Sequence, residues 1–361
     1  MDIYSFFISN KYSALNMLYI FIFNFIFLLI IIKTDSRLQT FFFNYKNRLS
    51  NNIQKIHKGH ISRLGGIAIV ITFVFTAIFF DNSESKLLLL ICIYGLPLIL
   101  GALLEDILQK INPLLRLISI MISSFIFFYF VINNLPVIDI YILDKILNTP
   151  IINIIFFSLA LTGYINGVNF IDGTNGLSTL STLASLLCLL FLSLTFEDTE
   201  TTNFILYMLA ILMSFLLLNY PFGKIFLGDL GAYFVAWFTG IMAILIMARN
   251  PEIPNWCAVC ILGYPVIEVI FSIIRKILQS KNPFYPDKDH LHLKLFFVLN
   301  NKIKDPIIAN SLVAPFLALI WLMPLVLVPW IYNNKILVFI AIITQLLIYF
   351  LFYFFIPKEK N

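Results

Sequence analysis

The 361 residues are 60% hydrophobic and only 12% charged, and they include 38 phenylalanines. A soluble domain has no surface on which to place that much apolar side chain, which excludes a water-soluble protein and leaves an integral membrane protein. The net charge of +5 is accounted for by loops between apolar runs, so nothing in it calls for nucleic acid as a partner.

A helix needs roughly 20 apolar residues to cross the hydrocarbon. On that measure the chain divides into eleven expected spans: 14–33, 65–80, 87–104, 114–132, 150–165, 178–196, 203–220, 230–248, 255–274, 309–332 and 336–356. The runs are continuous rather than alternating, so they read as helices and not as barrel strands. The first is too long for a signal-peptide core and lacks a small-residue cleavage site, so it is expected to persist. The expectation is an all-α polytopic helix bundle forming a single membrane domain over residues 1–361.

Orientation follows from Lys and Arg, because positive loops stay in the cytoplasm. Of the 24 basic residues, all but Lys11, Lys86, Lys145, Arg249 and Lys335 fall in one alternating set of connections. That places the N-terminus outside and the C-terminus in the cytoplasm. Cys92, Cys188, Cys257 and Cys260 lie in or beside spans; the C-x-x-C pair has no second pair or nearby histidine and reads as packing.

The unusual polar stretches collect on the basic side. In chain order they are "HKGHISRLGG", "LLEDILQKINPLLR", "GYINGVNFIDGTNGLS", "NYPFGKIFLGDLGAY" and "KNPFYPDKDHLHLK". The other connections, such as "DNSES", "FEDTET" and "YNNK", are short solvated turns. One face of the membrane is therefore expected to carry the chemistry.

Glu105, Asp106, Asp172 and Asp229 stand at the mouths of helices on that side. Uncompensated acids gathered there would repel one another and resist desolvation. A hard divalent cation resolves the conflict, and Mg²⁺ commonly takes one or two carboxylates and leaves its other positions to water and phosphate. Gly173, Gly176, Gly228 and Gly231 remove side chains beside those acids, where backbone would approach a phosphate. Lys58, Arg63, Lys110, Arg116, His290 and His292 add donors for a diphosphate. Acids, metal and cations together describe a phosphoryl-transfer site.

Each piece alone has a plainer reading. A single acid at a helix mouth is a cap, His290-x-His292 is a surface pair, and Lys58 and Arg63 are topology charges that meet anionic lipid. Glu268 lies inside the ninth expected span and needs a partner, for which Arg275, two turns later, is the candidate.

Taken together, "LGGIAIV", "LLEDI", "NGVNFIDGTNGLS", "FLGDLGAY" and "PDKDHLHL" resemble the motifs of the polyprenyl-phosphate N-acetylhexosamine-1-phosphate transferases, in family order over residues 55–300. The resemblance implies a bacterial inner-membrane enzyme with its site on the cytoplasmic face. It implies transfer of a sugar-1-phosphate from a UDP-N-acetylhexosamine, UDP-GlcNAc by default, to undecaprenyl phosphate, with release of UMP. Mg²⁺ is the implied cofactor, with Mn²⁺ as an alternative, and glycosyltransferases would act on the product.

Carried onto this chain, the resemblance makes Asp229 and Asp172 metal ligands and Asp106 a base or positioning group for the lipid phosphate. Asn166, Asn169 and Asp172 match the nucleotide and metal loop, in which Asn175 also lies, Lys58 stands at a phosphate-binding position, and His290 and His292 match a motif near the sugar and diphosphate. Three departures stand out. The acid pair is Glu105–Asp106 rather than two aspartates, Asn175 stands where many members have Asp, and Leu293–Lys294 follow His292 where a further histidine is common. Two rival functions remain: the peptidoglycan precursor transferase, whose late loop has three consecutive histidines, and a lipid-linked-sugar flippase, which would show repeat symmetry and midplane polar groups.

Overall fold

The computed structural model describes residues 11–42, 61–81, 83, 85–108, 111–132, 134–283 and 287–357. Lys58 and Lys110 lie outside them. Every expected span is helical. Among the described residues there is no strand, only an isolated parallel bridge between Ser62 and Ile225.

The helices are α1 (Lys11–Phe42), α2 (Gly65–Phe79), α3 (Leu87–Tyr94), α4 (Leu96–Leu108), α5 (Pro113–Val131), α6 (Tyr141–Leu147), α7 (Pro150–Ile171), α8 (Leu177–Thr195) and α9 (Thr199–Asn219). They continue as α10 (Gly228–Arg249), α11 (Trp256–Ile261), α12 (Gly263–Leu278), α13 (Leu291–Ile303), α14 (Pro306–Phe316), α15 (Ala318–Trp321), α16 (Met323–Ile331) and α17 (Lys335–Phe355). Their starts follow local chemistry. Asn112 caps α5 by accepting from the Leu114 N–H, with Pro113 behind it; Asp305 and Pro306 do the same for α14.

Of the eleven expected spans not all reach the length of a crossing: among the described residues eight helices are long and apolar enough to cross a bilayer, or nine when α3 and α4 are taken as one bent span. The difference has two causes. α2 has 15 residues, about 22 Å at 1.5 Å per residue, which falls short of the hydrocarbon thickness. The run at 255–274 breaks at Leu262 into α11 and α12, and neither half is long enough to cross alone.

The α3–α4 bend of 53° centres on Gly95 and Pro97. Pro97 has no N–H to continue the helical ladder, and the Ile91 carbonyl, which accepts from the Gly95 N–H at 3.0 Å, also accepts from the Trp237 indole at 3.2 Å. The bend directs the acid pair at the end of α4 toward the start of α10. α10 is the central element, buried along almost its whole length, and it packs against α2, α4, α7 and α8. Gly66 allows the closest of these approaches: a Cβ there would lie 2.2 Å from the Gly231 nitrogen. The α2 start is further tied to the segment before α10 by the Gly65 and Gly66 N–H groups donating to the Phe226 and Leu227 carbonyls.

The four cysteines are buried free thiols.

Candidate active site

The site is assembled at the end of the bundle where α4, α7 and α12 finish and α2, α8 and α10 begin. Gly228 starts α10 with φ +71, and a Cβ there would come within 2.3 Å of the Arg63 carbonyl and 2.8 Å of an Asp106 oxygen. Glycine at this position lets Asp106 close on the helix end. The two Asp106 oxygens accept from the N–H groups of Asp229 and Leu230, each at 2.8 Å. These are among the N–H groups that a helix start leaves without internal partners, at the positive end of its dipole. Asp106 is thus a cap supplied from a neighbouring helix. It fixes the direction in which α10 presents Asp229.

The Asp229 side chain meets the guanidinium of Arg116 at 2.5 Å. Arg116 also lies 3.9 Å from Glu105, and Glu105 accepts from the Ile111 N–H at 2.8 Å. The Arg116 Nε is buried without a partner. Arg116 therefore bridges two acids and keeps one donor uncommitted.

α7 runs unbroken to Ile171, so Asn166 and Asn169 sit on helix and Asp172 caps its end. The Asn166 amide turns back to the Thr162 carbonyl at 2.8 Å, whereas the Asn169 amide nitrogen is buried with no partner. Asp172 accepts from the Ser178 hydroxyl. Desolvation raises the Asp172 pKa to about 7, against the opposing pull of that hydrogen bond and of Arg63, and the charge of Asp229 pushes in the same direction as desolvation. Asp172, Asp229 and Arg63 therefore share one electrostatic neighbourhood.

Asn175 has a different place from the one its position in the motif suggests. It is fully buried; its N–H donates to the Asn310 side chain at 2.6 Å and its amide to the Pro221 carbonyl at 2.8 Å. Gly176, at φ +76, donates to the Asn219 side chain. The second half of the motif is thus a lock between loops, while its first half faces the cleft. Asn219 and Asn310, remote in sequence, were not expected here.

The histidine segment closes another side. Gly173 is required beneath it, since a Cβ there would lie 2.6 Å from the His292 Nε2. His292 is buried, its Nδ1 has no partner, and burial pushes its pKa down to about 3, so it stays neutral. His290 contacts the Phe170 ring at 5.2 Å and stacks on His292 at 5.7 Å. Glu268 is satisfied differently from expectation. Its partners are His290 Nδ1 at 2.9 Å and the Tyr349 hydroxyl at 3.0 Å, while Arg275 pairs with Asp287 at 2.9 Å and Asp289 at 3.2 Å. The nearer histidine takes the carboxylate, and the loop acids draw the arginine away.

No group of three or more His, Cys, Asp or Glu among the described residues forms a metal cage. A hard cation does not require one, because Mg²⁺ keeps several waters and binds through one or two carboxylates together with substrate phosphate. Asp229 and Asp172 supply that donor set, since the charge of Asp229 opposes ionisation of Asp172 and a cation would relieve that opposition; the unpartnered Asn169 amide nitrogen is a donor for phosphate oxygen and not a metal ligand. The residues present fit the group.

Residues 87–247, which hold the acid pair, Arg116, the α7 motif and Asp229, match the family model of glycosyl transferase family 4. The chain is 28% identical over 138 residues, 38% of each protein, to the probable undecaprenyl-phosphate N-acetylglucosaminyl 1-phosphate transferase of Bacillus subtilis (strain 168). It is 25% identical over 239 residues, 66% of this chain and 69% of the relative, to the undecaprenyl-phosphate alpha-N-acetylglucosaminyl 1-phosphate transferase of Thermotoga maritima. A phospho-N-acetylmuramoyl-pentapeptide-transferase of Streptococcus pneumoniae (strain 70585) is 26% identical over 199 residues, 52% of this chain and 60% of that one. The alignments thus span between 38% and 69% of these relatives' lengths. With its motifs gathered at one end of a membrane helix bundle and this set of relatives, the chain is similar over residues 87–247 to glycosyl transferase family 4.

Proposed function

We propose that the protein transfers an N-acetylhexosamine-1-phosphate, with GlcNAc the default sugar, from its UDP donor to undecaprenyl phosphate on the cytoplasmic face of a bacterial inner membrane. An oxygen of the lipid phosphate forms a bond to the β-phosphorus of the donor, the bond from that phosphorus to the UMP oxygen breaks, and UMP leaves with the electron pair. The observation that carries this reading is the crowding of Asp106, Asp172 and Asp229 with Arg63 and Arg116 at one end of an apolar bundle. Acids and cations set at a lipid boundary suit a reaction that joins a charged soluble donor to a membrane-held acceptor.

The catalytic contribution of this chain is positioning and charge neutralisation, as in other phosphoryl transfers. Asp106 and the α10 N-terminus fix Asp229 in place. Asp229 and Asp172 would hold Mg²⁺, which neutralises phosphate charge when bound. Arg116 and Arg63 would offer guanidinium groups to phosphate oxygens, and the unpartnered Asn169 amide and the histidine segment packed on Gly173 would meet the UDP donor.

The test is UMP release by purified protein given undecaprenyl phosphate, Mg²⁺ and a panel of UDP-N-acetylhexosamines, with UDP-MurNAc-pentapeptide included and EDTA as control. Metal-dependent UMP from one N-acetylhexosamine donor is expected. UMP from the pentapeptide donor alone would move the protein to peptidoglycan precursor synthesis. Movement of lipid-linked sugar across vesicles without UMP would make it a flippase.

A further inference from the structure

α12 buries Glu268, Ser272, Arg275 and Lys276 on one face and leaves Ile270, Ile273, Ile274 and Ile277 exposed on the other. A buried carboxylate on such a helix is costly, and an apolar residue of similar volume would pack without that cost. Its partners indicate what it does. Glu268 takes the Tyr349 hydroxyl on one oxygen and His290 Nδ1 on the other, with the Leu291 N–H at 3.4 Å from the same oxygen. Two turns along the same helix, Arg275 holds Asp287 and Asp289, the residues just before His290. Lys276 adds a bond to the Pro283 carbonyl. The polar face of α12 is thus a cradle for the loop that carries His290.

The imidazole is confined as well as anchored. Phe170 meets it edge-on and His292 stacks on it, so the ring cannot swivel without displacing both. Its Nε2 lies 3.6 Å from an Asp287 oxygen, within ion-pair reach but longer than a hydrogen bond. α7 approaches closely enough to bring Phe170 into this arrangement because Gly167 rests on the Pro265 carbonyl, where a Cβ would lie only 2.3 Å away.

The geometry points to Glu268 as a positioning residue that holds His290 with Nδ1 protonated, leaving Nε2 of the neutral ring as an acceptor offered to a hydroxyl of the donor's sugar. A ring nitrogen's role is set by the hydrogen bond its partner nitrogen makes. Tyr349, on the far α17 helix, steadies the carboxylate from behind. This inference rests on the proposed reaction for what Nε2 meets, but not for the Glu268–His290 pairing.

Two measurements test it. Selective ¹⁵N-histidine labelling, with His290 assigned by its disappearance in His290→Ala, reads the tautomer without turnover. A protonated Nδ1 that is lost in Glu268→Gln is expected, and a neutral ring protonated only at Nε2 overturns the proposal. In kinetics, Glu268→Gln is expected to lower kcat by about tenfold or more while the KM values for donor and lipid move by less than about threefold. On a His290→Ala background the same substitution should add less than about twofold, because residues acting as a unit are non-additive. An undiminished loss on that background overturns the idea, as does a change confined to KM. Tyr349→Phe, a gentler change should Glu268→Gln fail to fold, is expected to give a smaller kcat loss with the same non-additivity, and full additivity there overturns it equally. Absence of UMP from the wild-type protein with every donor counts against the proposed reaction, while the tautomer spectrum still decides the pairing.

Discussion

The two ends of the bundle use charge in opposite ways. At the end away from the motifs, Arg249 binds Asp198 at 3.0 Å and Glu200 at 2.8 Å. There Asp81 accepts from Ser83 and from the Leu88 N–H, and Lys335 lies 3.5 Å from Asp139. These acids have their own cations or N–H groups, several supplied from a neighbouring connection. At the motif end Asp172 and Asp106 each lie in the field of Asp229, and Arg116 is divided between Asp229 and Glu105. Orphaned amides do not separate the two ends, since Asn153, Asn203 and Asn255 carry them at the far end as Asn169 does at this one. Acids packed against acids do separate them, because such crowding is stable only where a cation or a charged ligand completes it.

The comparison breaks most sharply if its strongest member is neutralised. Asp229→Asn is expected to lower UMP release by at least about a thousandfold, the scale of loss when a main source of transition-state charge stabilisation is removed, while its melting temperature stays close to wild type. Arg249→Gln at the opposite end, a half-exposed pair, should cost less than about 1 kcal/mol of stability and leave turnover unchanged. Near-normal activity in the first variant, or a collapse in the second, would mean that the ends do not divide the labour in this way.

Asp106→Asn sharpens the difference between a ligand and a scaffold. The amide retains one acceptor for the α10 N–H groups but removes the charge from the helix end, which should cost about 1 kcal/mol. Turnover should fall well beyond what that loss of stability explains, since Asp229 loses its fixed direction. A melt that does not move would show that the cap is dispensable.

Acidity gives a third, gentler probe. Burial raises Asp172 to about 7, so its ionised form is the one the fold disfavours. In metal-free protein this contribution to stability is fully present below the ordinary value of 3.8 and is lost as pH rises to about 7. Mg²⁺ needs the ionised form, so metal affinity should weaken as pH falls through about 7. Thermal shift with added Mg²⁺ at a series of pH values checks this, and a metal shift of constant size from pH 6 to 8 would remove Asp172 from the ligand set.

Much of this was legible in the sequence because membrane helices and clustered acids are local signals. The spans are hydrophobic runs, and the glycines beside Asp172 and Asp229 stand where close approach is required. What was not legible depends on contacts between distant segments. Asn175 sits in a motif yet is spent on Pro221 and Asn310. Glu268 meets His290 and Tyr349 rather than Arg275, because helical spacing identifies residues on one face but not the loop that folds over them. The breaks at Gly95 and Leu262 were hidden by hydropathy, which counts apolar residues and ignores bends.

The smallest effect is expected at Glu105, the first of the two acids near the end of α4. Its carboxylate lies at the edge of the cluster, accepting from the Ile111 N–H and standing 3.9 Å from Arg116. Glu105→Asp withdraws the carboxylate by one methylene. It gives up the Ile111 bond, one neutral donor to a charged acceptor worth about 1.5–3 kcal/mol at most, at a partly exposed site where water can replace it. Arg116 keeps its shorter contact to Asp229, so its orientation survives, and turnover should stay within about threefold of wild type. Loss of activity beyond tenfold with an unchanged melt would instead mean that the longer acid sets how Arg116 is shared. The connection after α4 would then belong to the chemistry, not only to its frame.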